Sequence, residues 1–477
     1  MKKFLIFISI AVIALSCEKD LTDLNVDKKR PAEVPAPTLF ANAQKNLADV
    51  ITSSNVNLNI FRLISQYWTQ TTYTDESRYD LSTRNIPNAF WNGLYRDVLR
   101  DLQEAKTVLN AQTGSTLDTA QRTNQLAMVE IMEVYSWSVL VNTFGNVPYT
   151  EALDAETVQP KYDSARAIYN DLLIRLDTAV GSLNPDEGSF GSSDLIYGGD
   201  INQWIKFGNS LRLRLGMMLA DVDANAAREV VEDAAKNVLE SNEDNAQFRY
   251  LESPPNTNPV WVDLVQSGRK DFVAANTIVN QMNQLNDPRR PFYFTLSNTQ
   301  DYKGGTYGSS NNYATYSKPS TTITQPDFPG TLMDYSEVEF LLAEAAERGF
   351  AVEGSAESHY NRAVTASIEN WGGTEAEAQA YLAQPQVAYT SATGDWRQKI
   401  GTQKWLALYN QGVQAWTEWR RLDYPKLNVP NGMEYSDIPL RFNYPVNEQN
   451  LNKTNYEQAS SAMGGDLTST RLFWDLD

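Results

Sequence analysis

The chain is poor in the residues on which most metal and nucleophilic chemistry depends. Its 477 residues include one cysteine, Cys17, and one histidine, His359. Histidine triads, multi-histidine zinc sites and Cys/His nucleophilic pairs are therefore excluded, and Cys17 has no partner for a disulfide within the chain. No stretch matches a P-loop or a dinucleotide-binding fingerprint. We expect no metal, no cofactor and no catalytic residue.

Basic residues are also scarce. The chain has 40 Lys and Arg against 59 Asp and Glu, a formal net charge of −19. Nucleic acids and anionic lipid surfaces both need basic patches, so this balance argues against either as a partner. The hydrophobic content of 42% is enough for a substantial core. The many acids leave a hydrolase built on a carboxylate pair open as an alternative.

The sequence has no long hydrophobic run. A short one lies at the N-terminus. Two lysines precede the apolar run Phe4–Leu15, which is too short to span a bilayer comfortably and is typical of a cleaved export signal. Ser16-Cys17 is the pair that lipoprotein signal peptidase requires. We predict a signal peptide at 1–16 and a mature chain fixed to a membrane by acyl chains on Cys17. The alternative is a soluble exported protein with an unmodified cysteine.

Residues 17–36 have the composition of a flexible tether. Glu18-Lys19-Asp20 is followed by a polar stretch with little periodicity. Acidic residues directly after a lipidated cysteine resemble the surface-export signal of lipoproteins displayed outside some Gram-negative cells. No later linker or charge block divides the chain, so we predict one domain at 37–477.

Helical periodicity dominates that domain and predicts a mainly α fold. The long amphipathic or buried segments are Leu126–Phe144, Lys161–Leu183, Trp204–Leu219, Tyr335–Phe350 and Ile400–Trp416. We expect Asp163 to cap the second of these helices. Asp221 to Glu232 has the acid spacing of a calcium loop but lacks its glycine, and Asp223 as a helix cap explains it better.

Tyr335–Trp371 is a predicted helical hairpin. Its second helix has Ala356, Tyr360 and Ala363 at the small/aromatic/small spacing of a tetratricopeptide hairpin. The same helix carries His359, which we interpret as a surface or helix-packing residue. On the first helix, Glu337, Glu344 and Glu347 are expected to face solvent. No strict 34-residue period runs through the chain, so we expect degenerate helical hairpins.

Two segments between helices are irregular yet aromatic. Ser297–Thr331 is rich in Gly, Ser, Thr, Asn and Pro, and it carries four tyrosines and Phe328. Thr71–Trp91 is polar with several aromatic rings. Loops this long within a compact domain are usually functional or disordered, and the aromatic content argues against disorder.

The order of short motifs along the chain resembles the SusD/RagB-like outer-membrane lipoproteins, in the SusD-like 2 branch. Nine segments carry the resemblance: Leu24-Asn25-Val26-Asp27, Phe144–Tyr149, Tyr162-Asp163, Tyr197–Asp200 with Asn209–Arg214, Asp287–Arg289, Tyr335–Phe340, Gln403–Trp405 with Trp416–Arg421, Tyr444-Pro445 with Asn455-Tyr456, and Gly464–Asp466.

This resemblance implies a SusD-like fold with tetratricopeptide-like hairpins and long irregular ligand-facing loops. It also implies an outer-membrane protein, facing outwards, that binds an oligosaccharide or oligopeptide and sits as a lid on a SusC-like TonB-dependent barrel. Members of this family bind nutrients and are not hydrolases. A surface glycoside hydrolase and a tetratricopeptide-type protein scaffold are the alternative functions.

Most residues in these motifs are interpreted as scaffold. We expect Arg212, Arg214, Arg420 and Arg421 to pair with acids between helices, and Trp405, Trp416 and Trp419 to lie in the core. Sugar stacking needs rings outside the core. The candidate ligand-binding residues, all from the two irregular segments, are Tyr302, Tyr307, Tyr313 and Tyr316, with Tyr73, Tyr79 and Trp91 as weaker candidates.

Overall fold

The computed structural model describes residues 34–112 and 119–476. The predicted signal peptide at 1–16, the predicted lipidation site Cys17 and most of the predicted tether at 17–36 lie outside these residues. The first helix begins at Ala36, one residue before the predicted start of the domain.

The described chain is mainly helical, as predicted. Its α-helices are α1 Ala36–Thr52, α2 Phe61–Ile64, α3 Ile86–Leu94, α4 Arg100–Ala111, α5 Thr119–Phe144, α6 Ala165–Ser182, α7 Ile201–Met218, α8 Ala224–Ala234, α9 Pro259–Trp261, α10 Asn276–Gln284, α11 Arg290–Tyr293, α12 Tyr335–Glu347, α13 Ala356–Asn370, α14 Glu375–Leu382, α15 Trp396–Ala407, α16 Gly412–Leu422, α17 Val446–Leu451 and α18 Lys453–Ala462. Within residues 34–112 and 119–476, no helix has both the length and the apolar character needed to cross a membrane.

Short strands form three antiparallel pairs. They are β1 Trp68–Gln70 with β5 Phe272–Ala274, β2 Val147–Pro148 with β3 Tyr162–Asp163, and β4 Ala246–Phe248 with β6 Gly330–Met333. No pair is joined by a tight turn, and each pair has two strands, so these strands fasten loops and do not form a layer.

Helical hairpins build the frame. The pairs α5/α6, α7/α8, α12/α13 and α15/α16 pack against one another in chain order. Helix α6 approaches α7 closely at Gly208, where a Cβ atom would lie 2.4 Å from Val180 Cγ2. In the α12/α13 hairpin, Tyr360 and Ala363 are buried as their spacing predicts. This arrangement confirms the predicted hairpins.

His359 packs between helices in the same hairpin. Its side chain is buried, with Nδ1 2.7 Å from Glu339 Oε2 on α12 and Nε2 2.6 Å from the carbonyl oxygen of Glu353. Both ring nitrogens therefore have partners within the fold, which confirms the helix-packing interpretation.

The prediction that Glu337 and Glu344 face solvent is wrong. Both carboxylates are fully buried on α12. Glu337 accepts from Arg214 Nε and Nη2 at 2.7 and 2.6 Å, and Glu344 accepts from both terminal nitrogens of Arg421 at 2.5 Å. A charged residue is buried at this depth only when it is paired, and the bidentate guanidinium provides that pairing.

The predicted arginine pairs are confirmed for three residues out of four. Arg212 lies 2.6 Å from Asp177 and 3.0 Å from Asp233, and Arg214 and Arg421 pair as described above. Arg420 instead donates to the main-chain carbonyls of Asn142, Leu440 and Trp416, and its Cζ lies 3.5 Å from the Trp416 ring centroid. Burial among these neutral groups lowers the pKa of Arg420 to about 9.

Helix ends differ from the predictions in two places. Ser164, rather than Asp163, caps α6 by accepting from the amide of Ala167, because Asp163 is paired in β3. The predicted helix Ile400–Trp416 is two helices, α15 and α16, separated by a turn. Asp223 caps α8 as predicted, by accepting from the amide of Ala226.

The three tryptophans predicted for the core are buried. The indole N–H of Trp405 donates to the carbonyl of Ser65, that of Trp416 to Pro439 and that of Trp419 to Pro425, at 2.8 to 3.1 Å. Each ring fills space while its polar atom is satisfied.

Replacing Glu344 by glutamine should destabilise the protein strongly. Arg421 and Arg348 would lose a charged partner that lies 2.5 and 2.8 Å away, and Arg421 is buried. Breaking a buried pair costs about 3–5 kcal/mol, so the free energy of unfolding measured in urea should fall by that amount. Glu229→Gln on the exposed side of α8 is the control and should change it by less than about 0.5 kcal/mol. Equal values for the two variants would contradict a structural role for Glu344.

Candidate functional site

The two irregular segments singled out in the sequence lie side by side. Strand β1 pairs with β5, and the chain after Asp301 crosses both. The amide of Asn311 donates to the carbonyl of Thr71, and the amide of Ala274 donates to that of Ser317, both at 2.8 Å. These hydrogen bonds order a glycine- and serine-rich loop that has no helix or long strand of its own.

A pocket of about 240 Å³ opens beside this strand pair. The residues lining it are Val56, Asn57, Gln70, Thr71, Thr72, Tyr73, Arg84, Arg269, Lys270 and Asp271. Tyr73 is 70% exposed, the highest value among the large apolar residues near this pocket. An exposed ring beside amide, hydroxyl and charged groups offers one stacking face and several hydrogen-bonding partners.

Tyr313 extends this aromatic surface. Its ring is half-buried, with Lys270 Nζ 5.8 Å and Lys318 Nζ 5.1 Å from the centroid. Lys270 also lines the pocket that contains Tyr73, so it connects the two rings. Partial burial raises the pKa of the Tyr313 hydroxyl.

Tyr316 and Tyr302 lie on the same loop but not in the pocket lining. Both are half-buried; Lys303 Nζ is 5.7 Å from the Tyr316 centroid, and Arg290 Cζ is 5.5 Å from that of Tyr302. Each ring therefore has one cation over it. Tyr316 and Tyr302 are therefore candidates for an extension of the site along the loop.

The remaining three candidates are core residues. Tyr307 is 3% exposed and donates to the carbonyl of Leu63 at 2.7 Å. Tyr79 accepts from Gln66 Nε2, and burial raises its pKa to about 12. Trp91 packs edge-on against Phe144 with a centroid separation of 5.0 Å. None of these rings presents a face to a ligand, so the structure gives them a packing role.

The charged residues that line this pocket were not among the candidates predicted from the sequence. Arg84 pairs with the buried carboxylate of Glu76, which also accepts from Gln70 Nε2 at 2.5 Å. Arg269 Nε lies 3.1 Å from Asp271. Arg84 is distant in sequence from Arg269, Lys270 and Asp271, so only the tertiary pairing of β1 with β5 brings these charged residues together. The sequence signal available was the basic pair Arg269-Lys270 before a short strand.

A second pocket, of about 220 Å³, is lined by a different set of residues. Phe328 and Trp371 line it with centroids 5.7 Å apart and planes at 29°, together with several amides and Asp334. The Asp334 carboxylate caps α12 and accepts from Gln411 Nε2 at 2.6 Å. Burial and then the nearby charge of Glu337 raise its pKa to about 6. Trp371 was not among the candidates predicted from the sequence.

Among the described residues, no group of three or more His, Cys, Asp or Glu side chains is arranged to hold a metal ion. Asp221, the first residue of the loop with calcium-like spacing, instead accepts from Arg348 at 2.7 and 2.9 Å.

Comparison with known proteins identifies the family. The model of the SusD-like 2 family, described as starch-binding and associating with the outer membrane, matches residues 28–445. The chain therefore belongs to the SusD-like 2 family. No curated protein sequence matches it.

Solved structures agree with this assignment. A chitin-binding protein is 27% identical with a TM-score of 0.81, over 92% of this chain and 100% of that chain. A chitin-binding SusD homologue from Flavobacterium johnsoniae is 25% identical with a TM-score of 0.78, over 93% and 99%. A SusD homologue from Bacteroides uniformis ATCC 8492 is 26% identical with a TM-score of 0.75, over 92% and 99%.

The buried carboxyl of Asp334 generates a prediction about pH. Its pKa in the folded chain, about 6, is above the ordinary 3.8, so its contribution to stability is fully present below pH 3.8 and is lost as the pH rises through 6. Asp334→Asn keeps an oxygen to cap α12 but does not ionise. Its stability relative to the wild type should rise by about 1–3 kcal/mol between pH 4 and pH 7.5, measured by urea unfolding. A difference that does not vary with pH would contradict this.

Proposed function

We propose that this chain is a cell-surface lipoprotein that captures an oligosaccharide without catalysis and delivers it to a SusC-like TonB-dependent transporter. The observation that carries the proposal is the pocket beside β1 and β5, where exposed Tyr73 and half-buried Tyr313 are linked by Lys270. Aromatic faces stack on the apolar faces of sugar rings, and the neighbouring amides and hydroxyls suit sugar hydroxyl groups.

The size of the pocket favours part of a polymer over a whole small ligand. Its volume of about 240 Å³ is below the roughly 300 Å³ at which pockets begin to enclose a drug-sized molecule. A sugar unit held there can continue along the loop towards Tyr316 and Tyr302. The chitin-binding neighbours and the starch-binding description of the family support oligosaccharide in preference to oligopeptide.

Glycoside hydrolysis at this pocket is disfavoured by its acids. Asp271 is the one carboxylate among the described residues that line it, and it is paired with Arg269. Hydrolysis by the usual mechanism needs two carboxyl groups flanking the scissile bond. Capture without cleavage fits the pocket better.

Alanine at Tyr73 or Tyr313 should weaken oligosaccharide binding by about 1–3 kcal/mol, because each change removes a stacking face. The melting temperature should change little for Tyr73, whose side chain is mostly exposed. The measurement is calorimetry with chito- and malto-oligosaccharides, and Tyr73→Phe, which keeps the ring, is the matched control. Unchanged affinity in both alanine variants would contradict the site, and loss in Trp371→Ala instead would assign binding to the second pocket.

Membrane attachment and the barrel partner are tested together. The wild-type chain, expressed in a cell that also makes its transporter, should remain with the outer membrane and recover a large TonB-dependent barrel after mild detergent extraction. Cys17→Ala removes the acylation site and should move the protein to the soluble fraction. A variant that stays membrane-bound would show that acylation is not the anchor, and recovery of the lipoprotein alone would argue against the barrel.

A further inference from the structure

The pocket is basic on a chain that is acidic as a whole. The formal net charge is −19, yet Arg84, Arg269 and Lys270 line the pocket, and Lys318 lies at the adjoining ring of Tyr313. Because the basic residues are a minority, their concentration beside the exposed ring of Tyr73 requires an explanation.

Pairing within the fold accounts for part of this charge. Arg84 is matched by Glu76, and Arg269 by Asp271. Lys303 lies at the ring of Tyr316 and outside the pocket lining. Arg84 and Arg269 therefore have structural partners and need no ligand.

Two lysines at the pocket and at the adjoining Tyr313 ring have no such partner among the described residues. Within residues 34–112 and 119–476, neither Lys270 nor Lys318 has a carboxylate oxygen within 4.0 Å of its nitrogen. Lys318 Nζ donates to the carbonyl of Tyr316 at 3.1 Å, and both nitrogens lie within 6 Å of the Tyr313 ring centroid. A ring quadrupole attracts a cation only weakly, so both nitrogens keep donors for a further acceptor.

We propose that the oligosaccharide captured here is acidic, with a carboxylate or sulfate group on the sugar that rests at Tyr313, held by Lys270 and Lys318. This inference rests on the proposed function and specifies its ligand. A sugar held beside this ring is within reach of both lysines, since both nitrogens lie within 6 Å of the ring centroid. Charge-assisted hydrogen bonds to oxyanions are stronger than those to sugar hydroxyls, so the acid group would dominate selection.

Calorimetry with the whole protein tests the proposal on oligosaccharides of equal length. The probes are a neutral chito-oligosaccharide, an oligogalacturonate that carries carboxylates, and a chondroitin sulfate oligosaccharide that carries sulfate esters as well. We expect at least one acidic probe to bind about tenfold or more tightly than the neutral one at 50 mM salt, with the preference reduced at 500 mM. The two acidic probes distinguish carboxylate from sulfate.

The matched variants are Lys270→Gln, Lys318→Gln and the double variant, with Lys236→Gln as the control at an exposed lysine on the short helical turn after α8. The double variant should lose the preference for the acidic probe, with a larger loss of affinity for the acidic probe than for the neutral one. Lys318→Arg should retain the preference, and Lys236→Gln should behave as the wild type. Unchanged melting temperatures show that the variants are folded.

Three results would overturn the proposal. Equal affinity for acidic and neutral probes, with Tyr73→Ala still weakening both, would refute the acidic ligand while leaving oligosaccharide capture intact. An acidic preference that survives in the double variant would assign the charge recognition to other residues. Binding of none of the oligosaccharides would refute both this inference and the proposed function.

Discussion

The frame depends on the buried pairing of Arg421 with Glu344 and Glu418. Arg421 reaches Glu344 at 2.5 Å and Glu418 at 2.6 Å, and Glu418 lies 2.8 Å from Lys404. These side chains belong to α12, α15 and α16, so one network fixes two hairpins to each other. Burial alone would raise the pKa of Glu418, but the charges of Arg421 and Lys404 outweigh it and lower the pKa to about 2. The carboxylate is therefore ionised throughout the physiological range.

Such a network constrains geometry more than it adds stability. Removing ions from water costs several kcal/mol for each, and only accurate pairing offsets that cost. A hairpin that slid by one helical turn would leave a buried charge unpaired, so the register of α12 against α16 is strongly specified. The rigid frame then allows irregular segments to form the pocket, because loops on a fixed scaffold can be positioned by a few hydrogen bonds. The buried carboxylate of Glu76 does this locally by holding Gln70 and Arg84.

Helix periodicity correctly predicted that the long helices exist. It failed to predict where one helix is interrupted and which glutamates are buried, because tertiary contacts determine both. The pattern from Ile400 to Trp416 continues through the turn, yet the chain is interrupted before Gly412, where a Cβ atom would lie 2.8 Å from the amide nitrogen of Arg62. The first residue of α16 therefore packs directly against the backbone of α2. The local sequence of Glu344 does not reveal its buried partner, because Arg421 is 77 residues away.

The sequence was enough to predict which two segments lie at the candidate site. It was not enough to predict which of their residues line the pocket. Aromatic content marked both loops, but burial depends on which side of β1 and β5 each ring lies. Tyr307 and Tyr313 are six residues apart in the same loop, and one is in the core while the other borders the pocket. Lys270 belongs to neither segment. Its role becomes visible only when β5 is paired with β1, because that pairing brings it to Tyr73.

An acidic chain can bind an acidic ligand because charge is screened over short distances. At physiological salt the Debye length is about 8 Å, so a bound group responds to the cations beside it and little to the net charge of −19. A duplex nucleic acid carries phosphates at close intervals along its whole length and would meet the surrounding acids as well as Lys270 and Lys318. A short oligosaccharide with one acid group at Tyr313 avoids most of them. The same charge distribution that argues against nucleic acid is thus compatible with a local anionic ligand, and it would make the site selective for short or sparsely charged ones.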